Sequence, residues 1–102
     1  MSVTYEITAE VRADLDEQYE RYMIDRHIPD LMATGAFVSA SLSRSSPGRY
    51  RVRYEAVGRD ALNAYLRDHA PRLREHFSAT LPDGISLSRE EWDVLKTFRP
   101  AA

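Results

Sequence analysis

Cysteine is absent from the 102 residues, which excludes disulfide scaffolds, thiol catalysis and cysteine-based zinc sites. Glycine is scarce; its four residues stand singly and none belongs to a phosphate-cradling loop. Neither sign of charge dominates: 14 basic residues face 16 acidic ones, giving a net charge of −2 and a pI near 5.9. Such a balance argues against a nucleic-acid partner. No apolar run approaches the ~20 residues that a membrane-spanning helix needs. The opening Met1-Ser-Val-Thr-Tyr-Glu6 lacks a signal-peptide pattern. We therefore expect a cytoplasmic protein with no membrane association. A Gly-x-Ser-x-Gly elbow and a paired-carboxylate motif are missing too.

Apolar residues form 43% of the chain, enough for a core. The length suits one domain over residues 1–102. Val3, Tyr5, Ile7, Ala9 and Val11 alternate with Thr4, Glu6, Thr8 and Glu10, the period of a half-buried strand. Asp14-Leu-Asp-Glu17 has capping-box spacing and predicts a helix from Asp14 to His27, kinked or restarted at Pro29 and ended by Gly35. Two further alternating runs, with Val38, Ala40 and Leu42 inward on the first and Tyr50, Val52, Tyr54 and Ala56 on the second, predict a hairpin about Ser45-Ser-Pro-Gly48. A second helix begins near Asp60. Leu62, Tyr65, Leu66, His69, Leu73, His76 and Phe77 share one stripe of it, and Pro71 should interrupt it at the cost of a hydrogen bond. Residues 85–95 admit a strand or a short helix; the strand is preferred because the first strand otherwise lacks a partner.

The resulting order is β-α-β-β-α-β, the ferredoxin-like arrangement of the α+β class, a four-stranded antiparallel sheet with two helices on one face. An internal echo supports it: Tyr22-Met-Ile-Asp-Arg-His27-Ile-Pro29 resembles Tyr65-Leu-Arg-Asp-His69-Ala-Pro71, 43 residues later at the tyrosines. The face left open would carry Thr4, Glu6, Thr8 and Glu10 beside Arg49, Arg51, Arg53 and Glu55, with Ser39, Ser41 and Ser43 extending it. That surface is either a solvated sheet face or the self-complementary interface of a homodimer, which we favour.

Tyr5, Tyr22, Tyr50, Tyr54 and Tyr65 project into the helix–sheet interior, joined by Tyr19, and so many phenols need partners. Three readings stay open. Imidazoles and phenols satisfy one another in a buried network. Alternatively, a pocket between helices and sheet, lined by Tyr22, Tyr54, Tyr65, His76 and Arg72, binds a small organic molecule. That is the function we favour for the homodimer, over a ligand-free structural or partner-binding dimer. A cofactor-independent isomerase, cyclase or monooxygenase would use His69 or His27 there as general base, while a tyrosine, with Arg26 or Arg72, steadies an enolate or phenolate. A metal site is the third, but His69 and His76, seven apart, lack zinc-helix spacing, so no metal and no cofactor is expected. Arg49-Tyr-Arg-Val-Arg53-Tyr54 is superficially like an RNA-binding sheet, yet its aromatics face the helices.

His27-Ile-Pro29, Ala33-Thr-Gly35-Ala-Phe37, Tyr50-Arg-Val-Arg-Tyr54 and Tyr65-Leu66 with His69-Ala-Pro-Arg-Leu-Arg74 resemble a family of short bacterial proteins known as a domain of unknown function. The likeness covers nearly the whole chain. It implies the dimeric α+β barrel superfamily and a strand around Arg89. That superfamily includes cofactor-free monooxygenases, lactone isomerases, polyketide cyclases, haem-handling proteins and ligand binders, and fold alone does not choose among them.

Overall fold

The computed structural model describes residues 2–101. Strand β1 (Val3–Val11) leads into a 3₁₀ turn at Ala13–Leu15 and then helix α1 (Asp16–Tyr22). A π-helical turn (Met23–His27) joins α1 to α2 (Ile28–Met32). Strands β2 (Phe37–Ser46) and β3 (Arg49–Ala56) form the hairpin, followed by α3 (Arg59–Asp68), α4 (Ala70–Thr80) and β4 (Ile85–Asp93). The sheet runs β2-β3-β1-β4 with every pairing antiparallel, so the ferredoxin-like reading holds and residues 85–93 are a strand.

Alternation in β3 does what its period demands, and β1 departs from it at Thr4, which shares the side of Glu6 yet is only 2% exposed instead of open to solvent. Val3, Tyr5, Ala9 and Val11 pack with Tyr50, Val52, Tyr54 and Ala56 under the helices, all buried. Glu6 faces Arg53 and Glu10 faces Arg49 on the other side. Their side-chain contacts, 3.9 Å and 3.4 Å, are largely solvated and stabilise the sheet by at most about 1 kcal/mol each.

Three local expectations are corrected. Asp14 caps no helix: its carboxylate takes two hydrogen bonds from Arg12, at 2.6 and 3.2 Å, and α1 starts at Asp16 without a side-chain cap. The inward position at the start of β2 belongs to Phe37 (6% exposed) rather than Val38 (59% exposed). A bulge between Phe37 and Ser39 inserts one residue and reverses the facing there. Pro71 does not break a hydrogen bond inside a helix, because the chain ends α3 at Asp68 and restarts at Ala70. Pro71 thus lies in the first turn of α4, where an N–H has no intrahelical acceptor.

Pro29 acts differently. Deep in a continuing helix, it cannot donate to Asp25 and its ring crowds that carbonyl. The chain widens instead: the Ile28 N–H donates to the Met23 carbonyl, five residues back. The wide turn ends on His27. At the hairpin, Gly48 has φ +80° and a Cβ there would lie 2.7 Å from the Val11 carbonyl oxygen, so only glycine fits.

Candidate functional site

Between the helices and the sheet lies a cavity of about 170 Å³. Its floor is Val52 and Tyr54 of β3, with Tyr19 and Leu31 from the helical layer, all at most 1% exposed. Ile7, Leu73, Phe77, Leu81 and Leu87 make the walls apolar, while the exposed Ser78, Pro82, Arg74 and Arg89 mark the mouth. The aromatic layer beneath is continuous: Phe37 lies 5.0 Å from Tyr54 and 4.9 Å from Tyr65 between ring centroids. Such pairs add about 0.5–1.5 kcal/mol each beyond their buried area.

His27 reaches this cavity from the end of the π turn, its ring 5.3 Å from Phe77 and 5.7 Å from Tyr22. Burial pushes its pKa down from 6.5 to about 4; Asp30 opposes this, and His76 and Arg89 add to it. At neutral pH the imidazole is therefore uncharged and able to accept a proton. Burial likewise pushes the Tyr19, Tyr54 and Tyr65 phenols well above their usual range, so they stay protonated donors. At Tyr65 the guanidiniums of Arg74, Arg89 and Arg72 partly offset that rise.

The other phenols have partners. Tyr50 donates to Glu20 at 2.6 Å, and Arg74 Nη2 donates to the Tyr5 oxygen at 3.0 Å. Tyr22 Oη and His76 Nδ1 are hydrogen-bonded at 2.6 Å. Among the described residues no such partner is found for the hydroxyls of Tyr54 and Tyr65, although both side chains line the cavity.

Of the residues singled out from the sequence, the fold brings His27, Tyr54 and Tyr65 together around one space. Tyr22 and His76 form their pair behind His27, outside the lining. His69 caps the end of α3, half-buried and stacked on Tyr65 at 6.3 Å, with Nδ1 3.2 Å from Arg72 Nη2. Neither of those two lines the cavity. Sequence reasoning missed Arg74 and Arg89. Arg89 was legible in principle, since it continues the Ile85, Leu87 alternation that fills the inner face of β4; Arg74 gives no such signal. Among the described residues no group of three or more His, Asp or Glu side chains is placed to hold a metal ion, and no helix is long and apolar enough to cross a membrane.

The fold recurs in solved structures. SnoaB, a cofactor-independent oxygenase from Streptomyces nogalater, is 17% identical with a TM-score of 0.77, the match covering 97% of this chain and 98% of that one. A monooxygenase from the gene ActVA-Orf6 of Streptomyces coelicolor, in complex with Nanaomycin D, is 13% identical with a TM-score of 0.75, covering 97% and 92%. A dimeric ferredoxin-like protein from an uncultured marine organism is 18% identical with a TM-score of 0.71, covering 95% and 98%. At these identities the likeness is one of fold. No curated protein sequence matches the chain. Residues 2–95 match the family model described as a domain of unknown function (DUF4286), and the chain belongs to that family.

Proposed function

We propose that this protein binds a small organic molecule in the cavity between helices and sheet, and does so as a homodimer closed through its open sheet face. The observation that carries the reading is the cavity wall itself. Among its apolar surfaces Tyr19, Tyr54, Tyr65 and His27 have no hydrogen-bond partner from the described residues, their polar atoms opening onto the cavity space rather than being sealed in the core. A largely apolar wall with a few convergent polar groups open to its space is complementary to a small guest that is itself partly polar. Size limits that guest. A cavity of about 170 Å³ suits a molecule with one six-membered ring, by comparison with engineered cavities of about 150 Å³ that take up benzene.

Dimerisation is supported by the open face, where acidic residues of β1 lie beside basic residues of β3, a pattern that can pair with its own copy. One of the fold relatives is itself described as dimeric. Mass spectrometry under native conditions, set against the denatured mass, tests both parts. A dimer carrying a small additional mass is expected; a bare monomer overturns the proposal.

A second reading is favoured by the position of His27 at the cavity wall. An uncharged imidazole at the wall can take a proton from an acidic C–H or O–H of the guest, while the Tyr54 or Tyr65 hydroxyl donates to the oxygen that gains charge. Returning that proton to a different atom completes an isomerisation with no net change in electrons. In a cyclisation the carbanion or oxyanion first adds to a carbonyl carbon of the same guest, whose π pair moves to its oxygen, and that oxygen takes the proton back. His27, rather than His69, is the base in this reading because only His27 reaches the cavity. A cofactor-free enzyme of this kind shows turnover that His27→Gln abolishes and that stays flat from about pH 5 to 8, since His27 is already deprotonated there. A binder shows affinity without turnover.

A further inference from the structure

We infer that the ligand of this cavity is an anion, a single-ring carboxylate whose carboxyl group lies at the mouth between Arg74 and Arg89 and whose ring points inward toward His27 and Phe77. The inference rests on the cavity being a binding site, as proposed above, and adds the charge and orientation of the occupant.

The argument begins with where the arginines go. Several are matched with carboxylates: Arg12 with Asp14, Arg26 with Asp30, Arg44 with Glu20, Arg49 with Glu10, Arg53 with Glu6 and Arg67 with Asp68. Arg21, Arg51, Arg72 and Arg99, which have no such match among the described residues, lie outside the cavity lining. Along β4 the two acidic residues that share the face of Arg89, namely Glu91 and Asp93, are both claimed by Arg59 from the start of α3. Arg89 is left without a carboxylate among the described residues, and so is Arg74, whose one recorded bond is to the neutral Tyr5 phenol at 3.0 Å. Both guanidiniums border the same opening, and no Asp or Glu side chain contributes to the lining. The site therefore carries two positive charges with no protein counter-charge.

Three further features give the occupant its shape. Guanidinium forks match a planar carboxylate, with hydrogen bonds stronger than neutral ones. The Tyr65 hydroxyl, close enough to Arg74 and Arg89 to feel both charges, is an additional donor without a protein partner. Deeper in, the charge disappears and Phe77, Leu73, Leu87 and Ile7 offer apolar contact, so an amphipathic guest is oriented with its anionic end outward. Partly hydrated arginines at a mouth favour a bound anion without the full desolvation penalty of a buried charge.

Benzoate and benzyl alcohol, equal in ring and differing in charge, are the probes. Titration at low salt, followed by the NMR shifts of Tyr54, Tyr65 and Phe77, is expected to show benzoate binding at least about tenfold more tightly. Arg89→Gln and Arg74→Gln should each weaken benzoate about tenfold and leave benzyl alcohol unchanged. Tyr5→Phe, which removes the bond to Arg74 but keeps its charge, should retain the preference and so separates recognition from support of the fold. Equal affinities for both probes, unaffected by the arginine substitutions, overturn the inference while the cavity reading stands. If neither probe moves the cavity resonances, both are overturned.

Discussion

The Tyr22 hydroxyl and His76 Nδ1 meet at 2.6 Å although 54 positions separate them, and their bond ties α1 to α4 behind the ring of His27. It resolves part of the imidazole–phenol question in favour of structure: this histidine has a phenol partner and lies outside the cavity, whereas His27 has neither property. Tyr22→Phe removes one half-buried hydrogen bond and almost no volume. Urea denaturation should show a loss of about 1 kcal/mol with an unchanged slope. An unchanged midpoint would mean that water serves His76 equally well.

His27 gives the fold a pH dependence with a definite sign. Its folded pKa is depressed from 6.5 to about 4, so between those values the unfolded chain holds the extra proton and the folded one does not. Acid therefore favours unfolding: stability is full above pH 6.5, falls as pH drops through the window, and levels off below about 4. Allowing for the partial exposure of the ring, the loss amounts to roughly 2 kcal/mol. His27→Gln should flatten this part of the profile in urea titrations at pH 7 and 4.5. A variant as acid-sensitive as the parent would assign the effect to other groups.

The bulge at the start of β2 makes neighbouring residues unequal. Phe37 stacks against Tyr5 and contacts Tyr54 and Tyr65, whereas Val38 faces solvent. Phe37→Ala is expected to cost about 3–5 kcal/mol and Val38→Thr less than about 0.5. Thermal or chemical denaturation of both variants checks this. Reversed magnitudes would restore the simple alternation in which Val38 is the core residue.

That pair also marks the boundary of what the sequence discloses. Strict periods survive translation into structure, which is why β1, β3, the stripe of α3 and α4, and the strand order were readable. A bulge adds one residue without leaving a trace in composition, so the inward position passed from Val38 to Phe37 unannounced. The site divides the same way. Tyr54 and Tyr65 were legible from sheet parity and helical stripe. His27 was legible from its place before Ile28-Pro29, although the π turn that delivers it was not. His69 sits on the right stripe, but the helix ends there and restarts at Ala70, which leaves it beside Arg72 instead of the cavity. Long arginine side chains reach sites that no local pattern indicates, and Arg74 is the example.

The open face sets the last test. Arg51 lies between Thr8 of β1 and Ser43 of β2 with no carboxylate partner among the described residues, and Arg53 contacts Glu6 at 3.9 Å with about half its side chain exposed. In a two-fold assembly through this face each such charge acts twice, once from each copy. Replacing both by glutamate turns a mixed surface into an acidic one, since Glu6, Glu10, Glu55 and Glu90 already belong to it. The core is untouched, because both arginines are exposed. Sedimentation at micromolar concentration should therefore find the parent as a dimer and the double variant Arg51→Glu, Arg53→Glu as a folded monomer, with the same far-ultraviolet circular dichroism. Association should recover in part at high salt, where like charges are screened over about 3–10 Å. A parent that sediments as a monomer, or a double variant that dimerises as tightly as the parent, would place the interface elsewhere and return this face to solvent.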